Sequence, residues 1–135
     1  SKYANATSLA DFAGAKVTAQ LNTFHYSVID QIPGVDKQAA MDNFPAMRVA
    51  LQAGTIDAYV SELPEAISAQ AANSDFVMVK LTDGFKASPE DTQTAVGVKK
   101  DSPLTKEINE ALKTISSEER QQIMQDAIKN QPAAE

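Results

Sequence analysis

The sequence predicts an α/β fold: a three-layer, doubly wound and mainly parallel sheet with helices on both faces. Three observations carry that expectation. Short apolar runs alternate with amphipathic stretches through most of the 135 residues, the order produced by successive strand–helix units. The intervals between the apolar runs supply the roughly dozen residues that a parallel crossover requires. The stretch Ala46–Glu65 shows one such unit in full: an amphipathic helix, a glycine stop, a short buried strand, then Glu62 and a proline-led helix. In open α/β sheets the carboxyl end of a strand is where ligands are held, which makes Glu62 the first candidate functional residue.

The elements follow in order. Thr7 or Ser8 caps a short helical turn that includes Asp11 and Phe12 and ends at Gly14. Val17 to Leu21 is expected to be a strand. Asn22-Thr23 is a turn, with Thr23 the N-cap of a helix over Phe24 to Gln31, which Pro33-Gly34 breaks. Gln38 to Asp42 is expected to be a strand. Asn43 caps the next helix, whose first turn tolerates Pro45 because an amide there has no partner in the helix. Met47, Ala50 and Leu51 follow at helical spacing, and Gly54 fits the left-handed position that ends a helix.

Ile56 to Val60 is the next expected strand. Pro64 opens a helix reaching about Ala72, and Phe76 to Val79 is a strand. Thr82 to Gln93, with Gly84 and Pro89, is a loop or crossover. Thr94 to Lys99 alternates as a strand does. Asp101-Ser102-Pro103 starts a helix carrying Ile108, Leu112 and Ile115. Ser116 or Ser117 caps a last helix with Ile123, Met124, Ala127 and Ile128 on its apolar face.

Composition narrows the function classes. The chain is 43% apolar and 22% charged, enough to build a core and too apolar for a disordered segment. A net charge of −6 disfavours nucleic acid and anionic membrane surfaces as partners. With no cysteine there is no disulfide, thiolate nucleophile or thiolate metal site; this suits many exported bacterial proteins. No apolar run approaches the roughly 20 residues of a membrane helix, and Ser1 to Asn5 show no signal-peptide core. No P-loop, dinucleotide glycine fingerprint, zinc spacing or serine elbow is present, so neither cofactor nor metal is expected.

Several segments, taken together and in order, resemble the second lobe of amino-acid solute-binding proteins of ABC importers, with the type II periplasmic-binding-protein fold. Leu9-Ala10-Asp11-Phe12-Ala13-Gly14-Ala15-Lys16-Val17 is similar to that family's lead into a strand. Gln20-Leu21-Asn22-Thr23 sits where the family has a Q-x-G-T turn. Leu51-Gln52-Ala53-Gly54-Thr55-Ile56-Asp57-Ala58 resembles its L-x-x-G-x-x-D-A segment, and Glu62 falls on its acidic position. Val96-Gly97-Val98-Lys99-Lys100-Asp101-Ser102-Pro103-Leu104 looks like the return strand and helix.

The resemblance implies a ligand-binding lobe over residues 1–93 and, over 94–135, a return strand and carboxy-terminal helices that belong to lobe one in the family, with Glu90 to Thr94 as the hinge. It implies a non-catalytic function: capture of an amino acid between two lobes for an ABC transporter permease, outside the cytoplasmic membrane, in a soluble or lipid-anchored form. The family's arginine for the ligand carboxylate has no match here, since Arg48 and Arg120 stand elsewhere. The chain is therefore expected to be a fragment or processed product holding half the site. Its Leu104 to Asn130 helices are expected to repack or to exchange between two copies in a swapped homodimer.

The candidate ligand-binding residues are Glu62, Thr23, Phe24, Asn22, Gln20 and His25. A zwitterionic amino acid needs an anion for its ammonium, which the resemblance assigns to Glu62; the plainer alternative is that Glu62 caps the following helix, where a carboxylate suits the dipole. Thr23 and the amides after it would hold the α-carboxylate, or Thr23 simply caps its helix. Asn22 replaces a glycine and tolerates a left-handed backbone better than other residues. Phe24 walls a side-chain pocket or packs in the core. His25, the sole histidine, is a poor metal site alone and reads as a pocket-rim residue. Gln20 lines the cleft or ends its strand. Two other functions use the same fold: a cyclohexadienyl-dehydratase-like enzyme with Glu62 as acid or base, and the sensor domain of a receptor.

Overall fold

The structure, a computed structural model, describes residues 2–131. It divides into two compact units, Ser1–Asp91 and Thr92–Glu135. The first is α/β and is built on three parallel strands, β1 (Lys16–Ala19), β2 (Asp36–Lys37) and β3 (Ala58–Val60), in the order β2-β1-β3. Helix α1 (Phe24–Val28) and a 3-10 turn (Ile29–Gln31) lead from β1 to β2, and α2 (Phe44–Gln52) leads from β2 to β3. Helix α3 (Leu63–Ala72) follows β3, and the four-residue α4 (Pro89–Thr92) lies where the units meet in sequence.

The central strand explains the register. Val17, Thr18 and Ala19 are all buried, the continuous burial expected of a parallel strand covered on both faces. Val17 pairs with Lys37 on one side and Ala58 on the other. The Thr18 hydroxyl would be costly there without a partner; it donates to Ala39 O at 2.7 Å. Val17 and Ala19 join Tyr3, Phe12, Ala15, Ile29 and Ile32 in one buried cluster. At the other end of β1, Asp57 fixes the alignment twice: its carboxylate accepts from the Lys16 amide at 2.9 Å and its own amide donates to Lys16 O at 2.8 Å.

Helix starts follow the side-chain chemistry. Asp11 accepts from the Thr7 and Ser8 amides, both at 2.9 Å, and from the Ser8 hydroxyl. These bonds, the Thr7 amide first, hold its carboxyl below the ordinary value. Asn43 Oδ1 accepts from the Ala46 amide at 2.9 Å, with Pro45 in the first turn of α2, and Gly54 follows the helix at φ +72°. Asn43→Ala is expected to cost about 1 kcal/mol, read as an earlier urea midpoint with an unchanged slope.

Five strands were expected and three form. The first is Lys16–Ala19 rather than Val17 to Leu21; Leu21 is exposed, and its amide donates to Met41 O across an isolated bridge region. The second lies at Asp36–Lys37 rather than Gln38 to Asp42. There the Asp36 and Gln38 amides donate to Ala15 O and Val17 O, but the next bond to β1, into Ala19 O, comes from Met41, one residue later than a regular ladder places it. Thr18 has taken Ala39 O, and the extra residue interrupts the strand as a bulge does. The third starts at Ala58 instead of Ile56; Asp57, just before it, bonds Lys16 through both its amide and its carboxylate.

The helix expected over Phe24 to Gln31 breaks after Val28 into the tighter turn. Ile32 precedes Pro33 and is extended (φ −79°, ψ 116°), so the chain leaves the helix early. Phe76 to Val79 is not a strand: the Met78 amide donates to the Gln70 side chain at 2.7 Å, and the Thr82 amide to Thr7 O, in place of a ladder on β3. The segment contributes side chains instead, with Val79, Leu81 and Phe85 packed against the core.

In the second unit Thr94 to Lys99 is exposed throughout and unpaired as a strand. Alternation makes a strand only where a neighbouring strand receives it, and the described residues of this unit hold no other. The expected helices do form: α5 (Leu104–Lys113) and α6 (Ser117–Lys129). Ser116 Oγ accepts from the Glu119 amide at 3.1 Å while Glu119 accepts from the Ser116 amide at 2.8 Å, a reciprocal cap. The Arg120 guanidinium closes the end of α5 by donating to Leu112 O and Ile115 O. Leu104, Ile123 and Met124 stand exposed. Among the described residues no helix is long and apolar enough to cross a membrane.

Candidate functional site

The sheet order sets where a ligand could lie. β1 is central, and the chain leaving it turns to β2, on the side away from β3. The carboxyl ends of β1 and β3 therefore flank the point where strand order reverses, the usual ligand crevice of an open α/β sheet. All six residues singled out in the sequence are carried on these two strand ends: Gln20, Asn22, Thr23, Phe24 and His25 after β1, and Glu62 after β3.

Side chains from the two ends meet at His25 Nε2 and Glu62 Oε2, 3.7 Å apart. That is too long for a hydrogen bond. The Glu62 side chain is 49% exposed and that of His25 16%. Glu62 occupies the N-cap position of α3, as its plainer alternative has it, yet its side chain makes no cap bond and is left available to a ligand. Burial lowers the His25 pKa, and the charge of Glu62 pulls it up without restoring it. Near neutral pH the pair is a carboxylate beside a neutral imidazole.

The other residues shape the β1 end. Asn22 takes the left-handed backbone (φ 61°) that a glycine would adopt in that turn. The Thr23 hydroxyl donates to Gln20 O at 2.7 Å and makes no cap bond. Its one proton is thus committed, and it cannot donate to a ligand carboxylate in this conformation. The Gln20 amide donates to Asp42 O at 3.1 Å and ties the β1 end to the start of α2. Phe24 lies against His25, ring centroids 4.1 Å apart and tilted by 33°, so it forms a wall for the imidazole.

A second constellation escaped the sequence reading. Arg48 on α2 donates from Nη2 to both oxygens of Glu65 at 2.8 and 3.0 Å and from Nε at 3.1 Å, and the Tyr59 hydroxyl donates to the same carboxylate at 3.3 Å. Burial works against the Arg48 charge, but the bond to Glu65 and its charge hold the guanidinium pKa up. Burial, then the Glu65 charge, raises the Tyr59 pKa. The three side chains come from α2, β3 and the first turn of α3. They pin that turn, and with it Glu62. They also neutralise Glu65, which leaves Glu62 as the uncompensated carboxylate of the β3–α3 junction. No periodic signal links an arginine on one helix to a glutamate on another; sheet topology brings them together.

A cleft of about 460 Å³ opens elsewhere in the first unit, along β3 and the Phe76–Phe85 segment, with Tyr3, Phe12, Ile56, Phe76 and Met78 among its walls. None of the six candidates lines it. The strand-end site is instead an open notch on the Glu62 side, where that carboxylate meets solvent. No cluster of three or more histidine, aspartate or glutamate side chains able to hold a metal occurs among the described residues.

The chain matches no protein-family model, no curated protein and no solved structure with which it was compared.

Proposed function

We propose that the notch at the ends of β1 and β3 binds the ammonium group of an amino acid, and that the chain is a ligand-binding lobe of an extracytoplasmic solute-binding protein serving an ABC importer. One observation carries the reading. Glu62 is a half-exposed carboxylate at the strand-order reversal, free of the capping bond its position offers, and held on a turn pinned by Arg48, Glu65 and Tyr59. An ammonium is the natural complement of such a group, through charge-assisted hydrogen bonds.

The motif series in the sequence supplies the rest of the proposal. In it a second lobe provides the opposite wall and the donors for the ligand carboxylate, and closure about a hinge presents the ligand to the permease. Phe24 walls the ligand side, and the backbone amides after Asn22 take over the donor role that the Thr23 hydroxyl cannot fill. The function is binding rather than turnover.

A thermal-shift and calorimetry screen of the common L-amino acids tests this. A stabilisation specific to one amino acid, lost on Glu62→Ala, is the expected result. Silence from every amino acid sinks the assignment.

A further inference from the structure

We propose that His25 and a ligand ammonium compete for Glu62, so that the site holds its ligand at neutral pH and releases it as the medium acidifies. The inference rests on the ammonium-binding reading and adds a regulator to it. Its basis is the geometry of the two strand ends: His25 Nε2 stands 3.7 Å from Glu62 Oε2, across the notch a ligand would enter.

Consider the two protonation states. A neutral imidazole leaves the Glu62 carboxylate without a cationic neighbour, ready for an ammonium. A protonated His25 places a positive charge beside that carboxylate. A small rotation then closes the pair, and an incoming ammonium meets a neutralised acid and a like charge. The ligand must expel the histidine proton to bind. By linkage, binding lowers the His25 affinity for its proton to the same degree that protonation lowers ligand affinity.

The surroundings leave this coupling unshared. Of the charged groups near His25, Glu62 from the β3–α3 junction acts on it. Tyr26 on its own helix turns to β2, where its hydroxyl donates to Gln38 O. Lys37 on β2 lies over the Tyr26 ring and is paired with Asp30 at 2.8 Å. Glu65, next along α3, is held by Arg48. Phe24 covers one side of the imidazole and offers no charge. Partial burial favours the neutral ring at neutral pH.

The experiment follows the imidazole signals by proton NMR, unambiguous because the chain has a single histidine. The probe is glycine, whose ammonium and carboxylate stay charged between pH 5 and 8 and whose lack of a side chain avoids clashes. Without glycine, Glu62→Gln is expected to lower the His25 pKa further, since the charge that raises it is gone. With glycine, affinity should fall by up to ~tenfold per pH unit below the His25 pKa, and the His25→Gln variant should lose that slope.

An unchanged His25 pKa in Glu62→Gln, or glycine affinity flat from pH 5 to 8 in the parent chain, overturns the competition and leaves the ammonium reading intact. Absence of any Glu62-dependent response to glycine between pH 5 and 8 overturns both. Tyrosine ring signals confirm that each variant is folded.

Discussion

Glu62→Ala is expected to abolish or strongly weaken amino-acid binding while leaving the fold almost untouched. The lost interaction is a charge-assisted hydrogen bond of about 1.5–3 kcal/mol, which corresponds to roughly 10- to 150-fold in affinity. The stability change should stay within about 0.5 kcal/mol, because the side chain is 49% exposed and makes no cap bond to α3. Calorimetry gives the first quantity and urea unfolding the second. Glu62→Gln separates charge from hydrogen bonding: it keeps an acceptor and the shape, and most of the affinity should still go. A loss of stability without a loss of affinity returns Glu62 to a helix-start role and removes the central support for the proposed function.

That separation is possible because the polar groups around Glu62 divide the work. Asp57 is used up at the start of β1, where it aligns the sheet. Glu65 is used up by Arg48 and Tyr59. Glu62 remains between them in sequence, on the same strand–helix junction, facing His25. Three acidic residues within nine positions thus have three physical fates, set by what the topology places opposite each one.

Much of this arrangement was legible in the sequence, and the parts that were not share a cause. Local signals survived into the structure. Asn43 with Pro45, Gly54, Pro64 and Ser116, one of two serines expected to cap the last helix, mark helix ends, because a cap involves residues only three or four apart. Asn22 accepted the left-handed turn inferred for it. What failed was pairing at a distance. Phe76 to Val79 and Thr94 to Lys99 have strand composition, but a strand needs a neighbour, and composition does not specify one. The displaced second strand has the same origin: Thr18, on a different strand, takes the carbonyl of Ala39. The convergence of His25 and Glu62 was foreseen only as two residues at strand ends. Their 3.7 Å approach depends on β1 lying between β2 and β3, which no local pattern encodes.

Ile29→Ala is expected to destabilise the first unit by about 3 kcal/mol, within the 2–5 kcal/mol range for truncating a buried isoleucine. Ile29 is fully buried, and Tyr3, Phe12, Val17 and Ile32 belong to its cluster. The same four residues also line the 460 Å³ cleft, so one flank of the cluster is already open. If the neighbours relax into the vacated space the cost falls toward the lower end; if the strands hold them in place it rises toward the upper end. The chain provides its own probe, since it has no tryptophan and its three tyrosines, Tyr3, Tyr26 and Tyr59, all lie in the first unit. Tyrosine fluorescence should therefore report the shifted unfolding of that unit, while far-ultraviolet circular dichroism also registers α5 and α6. Ile123→Ala in α6, where the side chain is 59% exposed, should leave the tyrosine transition unchanged. A shift of under about 1 kcal/mol for Ile29→Ala would mean that the cluster around β1 is not the structural centre on which the strand ends, and the Glu62 notch they carry, depend.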